Sequence, residues 1–210
     1  MRPSRREMQE QTRSRLMTAA NAAIATEGVA AASIRRICEA AGHSQGAFYS
    51  NFATKDDLLI EIMRSHIEEE STLLRTLLTG PESPDLNVAL SHLSVRLAEL
   101  ASQSQWSLLS IELQLHAQRD ERFAERYNEC KAACHAMFEA LLEELASAHG
   151  LRLVLPPRQV ALGLYALWSG LIVQGSVEGA LRRDEIFLAF FRSVTGCPSD
   201  LERMTGLSSG

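Results

Sequence analysis

The chain has 210 residues, 46% of them hydrophobic, and carries 26 acidic against 21 basic side chains for a formal net charge of -5. That much apolar material can build one large domain or two unequal ones without a disulfide staple, and the four cysteines show no CxxC spacing, so they read as reduced thiols in a cytosol. The start, MRPSRREMQEQTRSR, lacks the apolar run of a signal peptide, and the longest nearly uncharged stretch, Val160 to Val173, is too short for a bilayer; the expectation is a cytoplasmic protein without membrane contact.

The acidic average hides a split. Residues 1–55 hold eight Arg or Lys and four Asp or Glu, net +4, while residues 56–210 hold 13 basic and 22 acidic residues, net -9. Only the N-terminal piece has the charge to approach phosphate, which predicts a domain over 1–55 distinct from one over 56–210.

In chain order, residues 2–8 read as a loose charged lead. The first helix is predicted from about Gln9 to Glu27, with Leu16, Ala20, Ala23 and Ile24 on its apolar face and Gly28 as its stop. Arg2, Arg5, Arg6, Arg13 and Arg15 precede it or lie in its first half, where they form either a solvated face or a phosphate-seeking arm.

The stretch Ser33 to Lys55 organises the chain. Ser33 can cap a helix in which Ile34, Ile37, Cys38 and Ala41 form one stripe, ended by Gly42. Ser44 can cap a second, with Phe48 and Phe52 turned inward and Gln45, Tyr49 and Ser50 left on other faces. Helices this short need a third to rest on. The result expected is a helix-turn-helix, whose second helix offers a small polar surface to the major groove. There Gln45 can pair its amide with an adenine edge, Ala47 can meet a thymine methyl, and Ser50 can take either role. Gly46 is costly in so short a helix, and close approach of either the preceding helix or DNA would explain it.

Thr54 and Asp57 make a capping box for a long helix that keeps its period to about Thr79. Gly80 to Pro84 breaks the chain, and Asp85 or a neighbour caps the next helix to about Ala101. Further helices are predicted to about His116, from Arg119 to Ala148, from Pro157 to Gln174 and from Asp184 to Val194, with Pro198 and a polar tail beyond. No stretch alternates long enough for a sheet, so the fold class is all-α.

The run of helix, Ala-Gly, short helix, then Gly46-Ala47-Phe48-Tyr49, Phe52, Lys55 and Leu58, preceded by Glu27-Gly28, resembles the tetracycline-repressor (TetR) family of bacterial transcriptional regulators. About the first 60 residues match closely, and the remaining 150 agree in length and helical pattern. Two residues depart from the family's habit, His43 in place of Val and Cys38 in place of Ala. The resemblance implies an N-terminal three-helix DNA-binding domain and a helical C-terminal domain for ligand binding and dimerisation. It also implies that the hydroxyl of Tyr49 and the ammonium of Lys55 reach phosphates, with Ser33 as a third contact. The implied DNA set is Ser33, Ser44, Gln45, Ala47, Tyr49, Ser50, Asn51 and Lys55.

The second domain has no catalytic set: Glu112 and His116 share a helix face, but no nucleophile, phosphate loop or metal motif accompanies them. Cys130 and Cys134, four apart, lack further metal ligands and read as core, so neither metal nor cofactor is expected. Under the resemblance, Trp106, Glu112, His116, Tyr127, Met137 and Trp168 become lining for a small-molecule effector. The helix 157–174 is apolar on nearly every face, and Leu164, Leu167 and Leu171, with Phe187, Phe190 and Phe191, are expected to meet a second copy of the chain. The function implied is that of a repressor that binds a near-palindromic operator as a homodimer and releases it on binding an effector. The competing reading is an all-helical structural or protein-interaction module that does not read sequence.

Overall fold

Ser4 caps the first helix, which begins four residues earlier than its periodicity suggested. Its hydroxyl accepts the Glu7 amide at 3.2 Å while the Glu7 carboxylate accepts the Ser4 amide at 2.6 Å, a capping box that turns the expected loose lead into helix α1, Arg5–Ala31. The structure, a computed structural model, describes residues 4–82, 85–174 and 182–197. Pro198 and the polar tail lie outside the described residues.

Eight more helices follow among the described residues: α2 Ile34–Ala41, α3 Gln45–Tyr49, α4 Lys55–Thr79, α5 Leu86–Ser102, α6 Ser104–Arg119, α7 Glu121–His149, α8 Pro157–Gln174 and α9 Arg183–Thr195. The all-α class holds. The local signals act where they were read: Ser33, Ser44, Thr54 and Asp85 each accept a backbone N–H in the first turn of the helix that follows, and Asp120, expected inside a helix from Arg119, does the same for α7. Gly42, left-handed at φ 69°, ends α2.

The helices form two compact units: residues 1–68 with 103–131, and residues 69–102 with 132–210. The first therefore extends past residue 55 and recruits α6 and the start of α7. Its core joins Leu16, Ala20 and Ile24 of α1 to Ile37, Phe48, Phe52, Leu58 and Leu59, with Leu109, Leu113 and Phe123 added from α6 and α7. In this unit α1 packs along both α2 and α6. The core of the second gathers Leu90, Leu93 and Leu97 of α5, Leu141 and Leu145 of α7, Val160 and Leu171 of α8, and Phe187 and Phe191 of α9.

Candidate DNA-binding site and its couplings

The recognition surface rests on Phe48. Its ring is fully buried, with Tyr49 edge-on at 5.5 Å and Phe52 at 5.7 Å between centroids, so a five-residue helix that could not hold itself is fixed by its core side. Turning one residue past Phe48 brings Tyr49 outward to 57% exposure. Gln45 and Ser50 are exposed beside it, and Ala47 is half-buried.

The two capping serines keep a donor for a phosphate. Ser33 accepts from the Arg36 amide at 3.3 Å and Ser44 from the Ala47 amide at 3.2 Å, and acceptance uses oxygen lone pairs, leaving the O–H proton to be donated elsewhere. Other predicted contacts are already engaged. The Ser50 hydroxyl donates to the Gly46 carbonyl at 2.9 Å, and Asn51 Nδ2 donates to the Ala47 carbonyl at 2.8 Å. These two side chains finish α3.

A Cβ on Gly46 would meet only Ser44 Oγ, at 3.7 Å, which is ordinary contact. Packing on α2 therefore does not demand glycine there, and one of the two explanations open from sequence is removed.

Arg13 serves the fold. One guanidinium nitrogen donates to the Asn51 carbonyl at 3.0 Å, another pairs with Glu61 at 2.8 Å, and its centre stands 4.4 Å from the Phe52 ring centroid. It ties the exit of α3 to α1 and α4. Arg5 and Arg6 remain exposed on the first turn of α1.

Lys55, expected at a phosphate, is engaged within the chain. Its Nζ donates to the Val29 carbonyl at 2.8 Å, and burial pulls its pKa below the ordinary lysine value although neighbouring Asp56 raises it. The reason is the path of α1. Gly28 takes φ 79° and ψ 166°, so the helix kinks there and the groups around Val29 become available to other elements. The Val29 amide is taken by Glu112 Oε2 at 3.0 Å, so one residue of α1 is held from α4 on its carbonyl side and from α6 on its amide side. A Cβ at Gly28 would come within 2.9 Å of the same carboxylate oxygen.

Two more links join α4 to α6 and α7. His116 Nε2 lies 3.2 Å from Asp56 Oδ1, and Arg126 pairs with Asp57 at 2.8 Å. Burial pushes the Asp57 carboxyl up, but hydrogen bonds from Thr54 and Arg126 outweigh it and hold the group below its usual range. These contacts lie 60 or more residues apart in sequence, and no local signal announces them.

The polar groups of Glu112 and His116, two of the six expected effector residues, thus make helix-to-helix links. The other four effector residues fall in both units. In the first, Trp106 stacks on His66 with centroids 3.5 Å apart, and the buried Tyr127 has Phe123 at 6.0 Å and Lys131 Nζ 5.6 Å over its ring. In the second, Met137 is half-buried and Trp168 meets Phe187 edge-on at 5.8 Å. Cys134 is buried and Cys130 half-buried, and burial raises the Cys130 thiol pKa, which is the opposite of an activated thiolate.

On α8 and α9 the expected interface divides. Leu171, Phe187 and Phe191 are buried and belong to the core, while Leu164 and Leu167 are half-buried. A helix apolar all round has a side for the core and a side left over. That side shows Leu162 at 45%, Val173 at 61% and, on α9, Phe190 at 55% exposure. A Cβ on Gly163 or Gly170 would meet nothing within 4 Å.

A helix-turn-helix on a buried core with a polar second helix, in a chain that also holds a second helical unit, is the arrangement of a DNA-binding transcriptional regulator. The sequence pattern of the bacterial regulatory proteins of the tetR family matches residues 16–62, and that of the BetI-type transcriptional repressor C-terminal domain matches residues 88–194. No curated protein matches the chain significantly. Among solved structures, reduced NemR of E. coli superposes with a TM-score of 0.72 at 20% identity, covering 90% of this chain and 100% of that one. A TetR-family regulator of Mesorhizobium loti gives 0.68 at 20% identity over 91% and 98% of the two chains. FadR of Bacillus subtilis, solved in complex with stearoyl-CoA, gives 0.66 at 14% identity over 89% and 99%. The chain belongs to the TetR family of bacterial transcriptional regulators. It is a ligand-responsive DNA-binding regulator and not an enzyme. No helix among the described residues is long and apolar enough to cross a membrane.

Proposed function

We propose that the protein is a cytoplasmic repressor that reads a near-palindromic operator as a homodimer through Gln45, Ala47 and Tyr49, with Ser33, Ser44 and the first turn of α1 on phosphates. The observation that carries this is α3 itself: an anchored Phe48 beneath an outward Tyr49 and an open Gly46, on the one part of the chain with a basic balance. Gln45 supplies the amide that discriminates adenine, while hydroxyls on phosphates set register without carrying sequence information. The space kept by Gly46 is then room for the DNA backbone.

The second copy of the chain packs on Leu162, Gly163, Ala166, Gly170 and Val173 of α8 with Phe190 of α9, where small residues let helices approach closely. Release runs through α6. An effector that favours a shifted α6 withdraws Glu112 from Val29 and with it the hold on the end of α1, on which α2 rests. Trp106, in the same helix as Glu112, is the side chain through which an aromatic or apolar effector would engage α6. Selection of duplexes from a random DNA pool tests the reading: a near-palindrome should emerge, and Gln45→Ala should re-rank base substitutions by about 1 to 3 kcal/mol at one or two positions of each half-site. Enrichment without any sequence preference would favour the non-reading helical module instead.

A further inference from the structure

We propose that Asp56, His116 and Asp120 form a binding site for a divalent first-row transition-metal ion, separate from both the DNA surface and the effector-facing part of α6. Each residue offers one ligand atom, and the three atoms lie within 4.8 Å of one another although they come from three places: the first turn of α4, the last turn of α6 and the junction before α7. Metal-to-ligand bonds of roughly 2.0–2.2 Å place the ligand atoms of a tetrahedral ion about 3.3 to 3.6 Å apart, so closure on an ion needs the widest pair to approach by at most about 1.5 Å, within reach of side-chain rotation.

The three side chains are held from behind. Asp120 accepts the Phe123 amide on Oδ1 at 2.9 Å, which fixes its carboxylate as the cap of α7 and leaves Oδ2 to turn inward. The His116 ring lies 4.4 Å from the ring of Phe123, itself 1% exposed, and in that position its Nε2 points at Asp56. Support of ligands by groups behind them is what sets orientation in metal sites. Two cations stand near the group and both are engaged: Arg126 pairs with Asp57, and Lys55, which neighbouring Asp56 attracts, donates its Nζ to the Val29 carbonyl. All three candidate ligands are half-buried, so an ion can reach them from solvent.

An ion pair between His116 and Asp56 accounts for one of these contacts, and helix capping for another. Neither accounts for two carboxylates converging on one imidazole. Two formal negative charges and one neutral nitrogen favour a dication, and the nitrogen tilts the choice from Mg2+ or Ca2+ toward the series from Mn2+ to Zn2+. Three protein ligands leave the remaining positions to water. Bound there, the ion would fasten the first turn of α4 to the last turn of α6.

The test uses the full chain after chelator treatment, titrated with Zn2+ by calorimetry and with Co2+ by absorption. One ion per chain is expected at micromolar concentration, and the Co2+ complex should show d–d bands without thiolate charge transfer. Asp120→Asn keeps an oxygen to cap α7 but removes the charge, and should weaken binding at least tenfold while leaving the helical content and melting temperature of the metal-free protein unchanged. His116→Gln should do the same to binding. Absence of binding at about 100 μM ion, undiminished binding in Asp120→Asn, or a thiolate band pointing to Cys130 and Cys134 would each overturn the assignment.

Discussion

Glu112 accepts the Val29 amide at 3.0 Å and occupies the space that a Cβ on Gly28 would need, so the kink of α1 and the seat of α6 are one feature. Removing the carboxylate leaves a part-buried backbone N–H without its partner, at a cost of about 1 to 3 kcal/mol. Glu112→Ala should unfold at lower urea concentration and bind operator more weakly in the absence of any effector, whereas Glu112→Gln, which keeps an acceptor, should recover most of both. Equal loss in the two variants would show that the charge, and not the bond to Val29, carries the coupling.

Lys55 and Tyr49 should separate by salt dependence. The ammonium of Lys55 is spent on the Val29 carbonyl, while the Tyr49 hydroxyl stands on a residue 57% exposed. Lys55→Met should weaken every duplex about equally and leave the slope of log K against log salt unchanged. A slope reduced by roughly one unit would return Lys55 to a phosphate. Tyr49→Phe should weaken binding by about 1 kcal/mol without re-ranking sequences.

Gly46→Ala should move stability and DNA affinity in opposite directions. Alanine is favoured over glycine by up to about 1 kcal/mol inside a helix, and the new methyl meets nothing closer than 3.7 Å in the protein. Thermal unfolding should therefore shift upward. Operator affinity should fall, since the methyl enters the space assigned to the DNA backbone; unchanged affinity would leave Gly46 without a role in binding.

Asp57 gives a pH dependence with a definite sign. Its folded pKa lies below the usual 3.8, so its contribution is present above that value and is lost as pH falls through the folded value. Asp57→Ala should cost about 1 kcal/mol at pH 7, mainly as the lost cap of α4. Urea unfolding at pH 7 and at pH 3 should show the gap between parent and variant narrowing in acid.

The exposed and buried aromatics of α9 should fail differently. Phe190→Asp, or Leu162→Asp on α8, should give a folded monomer by sedimentation, because both side chains are about half exposed in the single chain. Phe187→Ala should instead lower stability by about 3 to 5 kcal/mol through the cavity it leaves. A dimer that survives both aspartates would place the subunit contact elsewhere.

What the sequence determined by itself is what neighbours in the chain can decide. A hydroxyl or carboxylate three residues from an amide makes a cap wherever the segment lies, so the starts of α2, α3, α4 and α5 were legible at Ser33, Ser44, Thr54 and Asp85, whereas the cap of α7 at Asp120 was hidden in an unbroken helical pattern from Arg119. The spacing of Phe48 from Tyr49 likewise assigned one ring to the core and the other to solvent. Tertiary structure decided every assignment that turns on a partner far along the chain. Lys55 carries the same charge facing a phosphate or a carbonyl, and only the kink at Gly28 brings the Val29 carbonyl to it. Asp56, His116 and Asp120 have no common period, and they meet because the first half of α4 and all of α6 are packed into the first unit. On α8 composition announced that a second apolar face existed, but which residues fill it depends on which side the core claims, and that is set by the packing of α9 against it.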